Sequence, residues 1–328
     1  MKPRDILLAV AVAAVWGVNF VVIEIGLDHY PPLLFSALRF SLAAVPAVFL
    51  IGRPQVPWRW VFAVAGALGV TKFSLLFAGM AAGMPAGLSS LVLQSQAVFT
   101  MIFAVLLLRE RPRTIQIAGL GVAAAGIGVV ATRVGATLPV GAFLLVVGAA
   151  VAWGLSNIAT RKAAPADTLR FMVWVSAVAA PPLVVLSLLV EGPATDLAAL
   201  RATDVCAVAA VLFVALISTL AGFAAWGFLI RRYGATTVAP FSMLVPVFGI
   251  ASAATLLGEP VHRADFLGGA LILGGVLLGV VKAGGRVLPP ANPATTDDHL
   301  PPRDLGVVVG HVTDLGREEA TTSPRSRG

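Results

Sequence analysis

Ten runs of apolar residues, each long enough to cross a bilayer, dominate this sequence. They fall at 5–27, 32–52, 60–81, 85–108, 114–132, 138–158, 169–190, 205–230, 235–257 and 264–283, bounded by charged residues or by Pro and Gly. A hydrocarbon core of about 30 Å takes about 20 residues of helix. A chain of 328 residues therefore holds ten such helices with short loops and a tail. Inside lipid every backbone polar group must be satisfied within the structure, which selects helices for runs of this length. Charged residues make up 12% of the chain, half the roughly 25% of a soluble domain. The chain reads as an all-α membrane protein.

The net charge of +7 does not point to nucleic acid, because the basic residues sit in short loops between apolar runs, where they set topology. With the amino end inside, the cytoplasmic segments hold fourteen: Lys2, Arg4, Arg53, Arg59, Arg109, Arg111, Arg113, Arg161, Lys162, Arg170, Arg231, Arg232, Lys282 and Arg286. The opposite loops hold three: Arg133, Arg201 and Arg263. That asymmetry predicts a multi-pass protein with both termini cytoplasmic. The run from Ile6 to Leu27 exceeds the roughly 7–15 residues of a signal-peptide core, and no small-residue cleavage pattern closes it. It reads as the first spanning helix. From Gly284 onward the composition turns to Pro, Thr, Asp and Arg, which predicts a disordered cytoplasmic tail over 284–328.

Catalytic chemistry finds little to work with. The single cysteine, Cys206, makes neither an intramolecular disulfide nor a metal site. His29, His262, His299 and His311 stand in loops, at a helix start or in the tail. There is no zinc-protease helix motif, no paired intramembrane carboxylates and no phosphate loop. Neither an enzyme, a metal nor a cofactor is expected. The expected partners are the lipid bilayer and a small-molecule substrate, with the chain as a monomer or homodimer.

The chain also repeats itself. Glu110-x8-Gly119-x6-Gly126 recurs as Glu259-x8-Gly268-x6-Gly275, an offset of 149. Trp16-Gly17-x-Asn19 recurs as Trp153-Gly154-x-x-Asn157. Two five-helix repeats follow, 1–136 and 137–283. An odd number of spans turns the second upside down relative to the first, the architecture of transporters that bind cargo near the midplane between inverted halves.

Several strings carry a family resemblance: Trp16-Gly17-x-Asn19-Phe20, Pro31-Pro32 followed by Arg39-Phe40, Met84-Pro85-Ala86-Gly87-Leu88, and Leu91-Val92-Leu93-Gln94-Ser95-Gln96. Ala239-Pro240 and Leu244-Val245-Pro246-Val247 add to them. With these the sequence resembles the EamA family of the drug/metabolite transporter superfamily over residues 5–283. The resemblance implies a ten-helix fold and efflux of small metabolites, often amino acids such as cysteine or O-acetylserine. A channel, a scaffold or a transporter of another metabolite or drug class is the alternative.

Polar side chains at membrane depth mark candidate functional positions. Lys72 sits roughly 18 Å along the third run, counted from Trp60 at about 1.5 Å per residue. It either lines a cavity, where it would hold a substrate carboxylate, or snorkels to the surface. Arg39 lies roughly 10 Å below the outer start of the second run and either binds substrate or pairs with Glu24. Glu24, about 5 Å from the outer end of the first run, is an interfacial residue or a proton or ion-pair site. Trp16 and Asn19 share a helix face, as do Trp153 and Asn157. Each pair lines a path or packs between helices. Gln94 and Gln96 point about 200° apart, so one at most faces the path. Pro246 removes the hydrogen bond to the Ser242 carbonyl, leaving a cavity-lining break or a packing kink. The Gly79–Gly83 and Gly275–Gly279 pairs are helix-packing signals.

Overall fold

The computed structural model describes residues 1–133 and 138–281. The tail expected over 284–328 lies outside the described residues. All described elements are helical. Ten long ones are numbered here α1 (Pro3–Leu27), α2 (Pro32–Val48), α3 (Trp58–Ala81), α4 (Ala86–Leu108), α5 (Thr114–Ala131), α6 (Val140–Ala163), α7 (Thr168–Val190), α8 (Val205–Tyr233), α9 (Ala239–Leu256) and α10 (Arg263–Val281). Eight are long and apolar enough to cross a membrane; α2, with 17 residues, and α10, with 19, complete the ten. The protein is an all-α, multi-pass membrane protein.

Local sequence explains where the helices begin and stop. Pro32 opens α2 at a position whose N–H has no intrahelical partner in any case. Asp167 and Asp204 cap α7 and α8, accepting from the N–H of Arg170 at 3.0 Å and of Ala207 at 2.8 Å. The second span ends at Val48 rather than 52, because Gly52 takes a φ of +66° and starts the turn into Pro54 and Pro57. A short helix not foreseen in the apolar pattern, Pro193–Arg201, bridges α7 and α8. It has too few apolar residues to span anything.

Four helices depart from α geometry. Ala65–Lys72 in α3 and Phe213–Ala221 in α8 are π-helical, and α4 tightens to 3₁₀ over Leu93–Ser95. A further 3₁₀ segment, Ala239–Leu244, opens α9 after the single α turn Ala235–Val238. Prolines at 240 and 246 leave donors missing there.

The strongest packing joins helices from opposite halves of the sequence: α5 with α10, α3 with α6, α2 with α7, α1 with α9, and α4 with α6. The α5–α10 seam is built on glycine. A Cβ on Gly126 would stand 2.7 Å from the Gly268 carbonyl oxygen, and one on Gly275 2.5 Å from that of Gly119. Backbones this close leave no room for any side chain. Large apolar side chains such as Phe49, Leu189 and Val205 point outward, as a lipid-facing surface requires.

Links between the halves gather at both ends. At the end away from Met1, the distal end, Arg133 pairs with Asp265 at 2.6 Å, His29 with Asp204 at 3.4 Å, and Tyr30 with Thr203 at 2.9 Å. The hydrogen bond of the His29 ring to the Ile25 carbonyl, aided by Asp204, raises its pKa above the ordinary imidazole value. The N–H of Ala207 holds the Asp204 carboxyl below its usual range. At the proximal end, Asp5 meets Arg232 at 3.7 Å and accepts from the Tyr233 hydroxyl, while Glu110 pairs with Arg161 at 2.5 Å.

Candidate functional site

Four helices bring a buried cationic and aromatic cluster together where the halves meet. Arg39 comes from α2, Lys72 and Phe73 from α3, Trp153 from α6 and Thr219 from α8. Arg39 and Lys72 are 3% and 5% exposed. The Lys72 ammonium lies 3.3 Å from the centroid of the Phe73 ring and 4.9 Å from that of Trp153. The Arg39 guanidinium lies over the same Phe73 ring at 3.9 Å, and near Phe40 at 4.8 Å. The two cations thus share one ring and stand no farther apart than the sum of their distances to it.

Arg39 Nη2 donates to Thr219 Oγ1 at 2.8 Å, and that hydroxyl donates to the Val214 carbonyl at 2.8 Å. The remaining guanidinium nitrogens, Nε and Nη1, are buried without a hydrogen-bond partner. Among the described residues neither cation forms an ion pair with an acid. A buried charge without a counter-charge costs several kcal/mol. Two of them side by side, softened only by ring faces worth about 0.5–2 kcal/mol each, form a site of strong positive potential. Chemically it suits an anion.

The π-helical stretches help place these groups. Lys72 closes one and Thr219 lies within the other, and such wide turns recur at functional sites because they re-aim side chains. Trp16 borders the cluster. Its indole N–H donates to the Ser218 carbonyl at 2.9 Å, and its ring packs 5.5 Å from Phe223 and 5.1 Å from Trp226.

Other candidates spend their polar atoms between helices. Asn157 donates to Gln96 Oε1 at 2.6 Å and to Thr100 Oγ1 at 3.0 Å, tying α6 to α4. Gln94 donates to the Ser242 carbonyl at 3.1 Å, the acceptor that Pro246 deprives of its normal donor. Asn19 is buried with its Oδ1 unpartnered, and Glu24 has a buried, unpartnered Oε2. Glu24 makes no ion pair with Arg39, whose partner is Thr219. The sequence reading missed Thr219 and Phe73. Thr219 is one hydroxyl in an apolar run, whereas Phe73, next to Lys72, was open to notice.

Ten packed apolar helices around a buried cationic cluster, with polar groups bridging the seams, define a polytopic membrane transporter. The model of the EamA-like transporter family matches the chain twice, over residues 4–132 and 140–281, and the chain belongs to that family. It is 39% identical to a protein of Salmonella typhimurium named "probable amino-acid metabolite efflux pump", over 85% of this chain and 96% of that protein. It is 37% identical, with the same coverage, to the Escherichia coli K12 protein of the same name. A "probable terminal-alkyne amino-acid exporter" of Streptantibioticus cattleyicolor is 29% identical over 80% of this chain and 89% of its own length. One solved crystal structure, 20% identical, aligns over 86% of this chain and all of its own with a TM-score of 0.57, and shares the fold.

Proposed function

We propose that this protein exports small amino-acid-type metabolites across the bacterial inner membrane by alternating access between two inverted halves, 1–136 and 137–283, with both termini cytoplasmic. The observation that carries the reading is the buried Arg39–Lys72 pair. Any α-amino acid or close derivative brings a carboxylate, and this cluster supplies two cations and two unpartnered guanidinium nitrogens to receive it. Trp153 and Phe73 form the apolar walls beside it. The names of the similar proteins support the same cargo class. The loop charges support the orientation, which makes the distal end the outer one. The reading involves no catalytic step.

Efflux from cells preloaded with a panel of amino acids, O-acetylserine and cysteine among them, tests the reading. At least one carboxylate-bearing member is expected to leave faster than from cells lacking the protein. Identical efflux across the whole panel, with the protein present in the membrane, would overturn it.

A further inference from the structure

The helix irregularities recur at one offset. The π-helical stretches end at Lys72 and Ala221, and the 3₁₀ segments at Ser95 and Leu244, both 149 residues apart. The first turns of α5 and α10 match as well: the Arg113 N–H donates to Gln116 Oε1 at 2.8 Å and the His262 N–H to Asp265 Oδ2 at 2.9 Å. Contacts between the halves are reciprocal. A Cβ on Gly17 would meet Phe248 at 2.5 Å, and one on Gly154 would meet Phe99, the residue 149 positions earlier, at 2.9 Å. Gly126 meets Gly268 just as Gly119 meets Gly275. Contacts made once in each direction are the mark of a two-fold relation.

One contact departs from that relation. The Glu259 carboxylate accepts from the N–H of Ala86 at 2.7 Å and of Gly87 at 3.0 Å, pinning the distal start of α4. Subtracting or adding 149 turns Glu259 into Glu110, and Ala86 and Gly87 into Ala235 and Thr236, which start the turn leading into α9. Glu110 is instead half exposed at the proximal end, with its two oxygens 2.5 and 3.4 Å from Arg161.

We propose that Glu259 and Glu110 are alternating latches of the transport cycle. Glu259 on the start of α4 holds the distal mouth shut. When it lets go, Glu110 leaves Arg161 and takes the backbone N–H groups of Ala235 and Thr236, shutting the proximal mouth. The inference rests on the inverted-half reading and adds the residues that switch it. The exchange is close to balanced, as a cycling transporter requires, because the same bond type is broken at one end and made at the other. Arg161 biases it. An exposed ion pair contributes less than a carboxylate seated on two backbone donors, so Arg161 tilts the balance toward the present state without locking it.

The test reads the distal mouth. Leu88, 4% exposed and lining the small cavity beside Glu259, becomes the reporter as Leu88→Cys in a Cys206→Ser background, which removes the sole native thiol. A membrane-impermeant maleimide is added outside cells. Glu259→Gln should raise the labelling rate roughly tenfold, the loss of a charge-assisted bond, and Arg161→Gln should raise it less. Glu110→Gln should lower it several-fold, although Glu110 lies at the far end of α4, about 33 Å of helix away. A Glu110→Gln rate equal to or above the parent would overturn the latch. Should Glu259→Gln fail to accumulate, the opposed signs of Arg161→Gln and Glu110→Gln still decide. Topology tags judge the orientation separately: a tag after Leu200 is expected outside and one after Arg231 inside. The reverse placement sinks the cytoplasmic-termini reading, whereas correct tags with unmoved labelling sink the latch alone.

Discussion

Replacing Lys72 by Met separates binding from folding, because the two respond in opposite directions. Lys72 is 5% exposed, lies 3.3 Å over the Phe73 ring, and has no acid partner. Removing its charge gives up cation–π attraction of about 0.5–2 kcal/mol and relieves a desolvation cost of several kcal/mol. Met keeps most of the length and the apolar stem, so packing changes little. The thermal midpoint of Lys72→Met in detergent should therefore hold or rise. Cargo loses a charge-assisted bond of about 1.5–3 kcal/mol, a weakening of roughly tenfold to hundredfold. The assay is efflux from loaded proteoliposomes at matched protein content and low cargo concentration. Lys72→Arg should retain part of the activity. Wild-type efflux by Lys72→Met, or a lowered midpoint with intact efflux, would refute the assignment of this ammonium to the cargo carboxylate.

Arg39→Met should behave differently, losing stability as well as transport, because Arg39 also holds Thr219 on α8; an unchanged midpoint would show that this link contributes nothing to folding. Gly126→Val drives a side chain into the Gly268 carbonyl and should cost about 1–3 kcal/mol or more through the α5–α10 seam, read as a lower thermal midpoint. Gln94→Leu leaves the Ser242 carbonyl with the Val245 N–H alone and should cost about 0.5–1.5 kcal/mol, the net worth of one hydrogen bond, by the same measurement. His29 has a raised pKa in the folded state, so its pairing with Asp204 contributes in full below the ordinary imidazole value and fades as pH climbs through the raised one. The midpoints of wild type and His29→Ala should therefore differ at about pH 5.5 and converge at alkaline pH, where an undiminished gap would point to packing.

The ten spans were legible because a bilayer imposes length and apolarity on each helix separately. Their ends drifted by a few residues where a turn residue such as Gly52 decided the stop. The short helix Pro193–Arg201 escaped notice for the converse reason: nothing about a surface helix is imposed by lipid. At the site, Lys72 and Arg39 stood out as charges at depth, and the structure brings them together over one ring. Gln94, Gln96 and Asn157 were equally conspicuous, yet they meet each other or a backbone carbonyl. Spacing reports which face a residue occupies, and says nothing of what stands opposite. Pro246 shows both sides of this limit. Its effect on the Ser242 carbonyl followed from covalent structure alone, whereas the repair by Gln94 required knowing that α4 packs on α9.

The carboxylates that cap α2 and α4 also put these helices on a clock. The N–H groups of Leu33 and Leu34 are received by Glu191, made 158 residues after Leu33, and those of Ala86 and Gly87 by Glu259, made 173 residues after Ala86. At about 5–20 residues per second of synthesis, each helix start waits roughly 10–30 s for its acceptor. During that interval the nascent first half sits in the bilayer with two open rows of donors at one surface, covered by water alone. Insertion and completion are thus separate events for this protein, and the interval in which a quality-control protease could seize it is set by the distance along the message between Pro32 and Glu259.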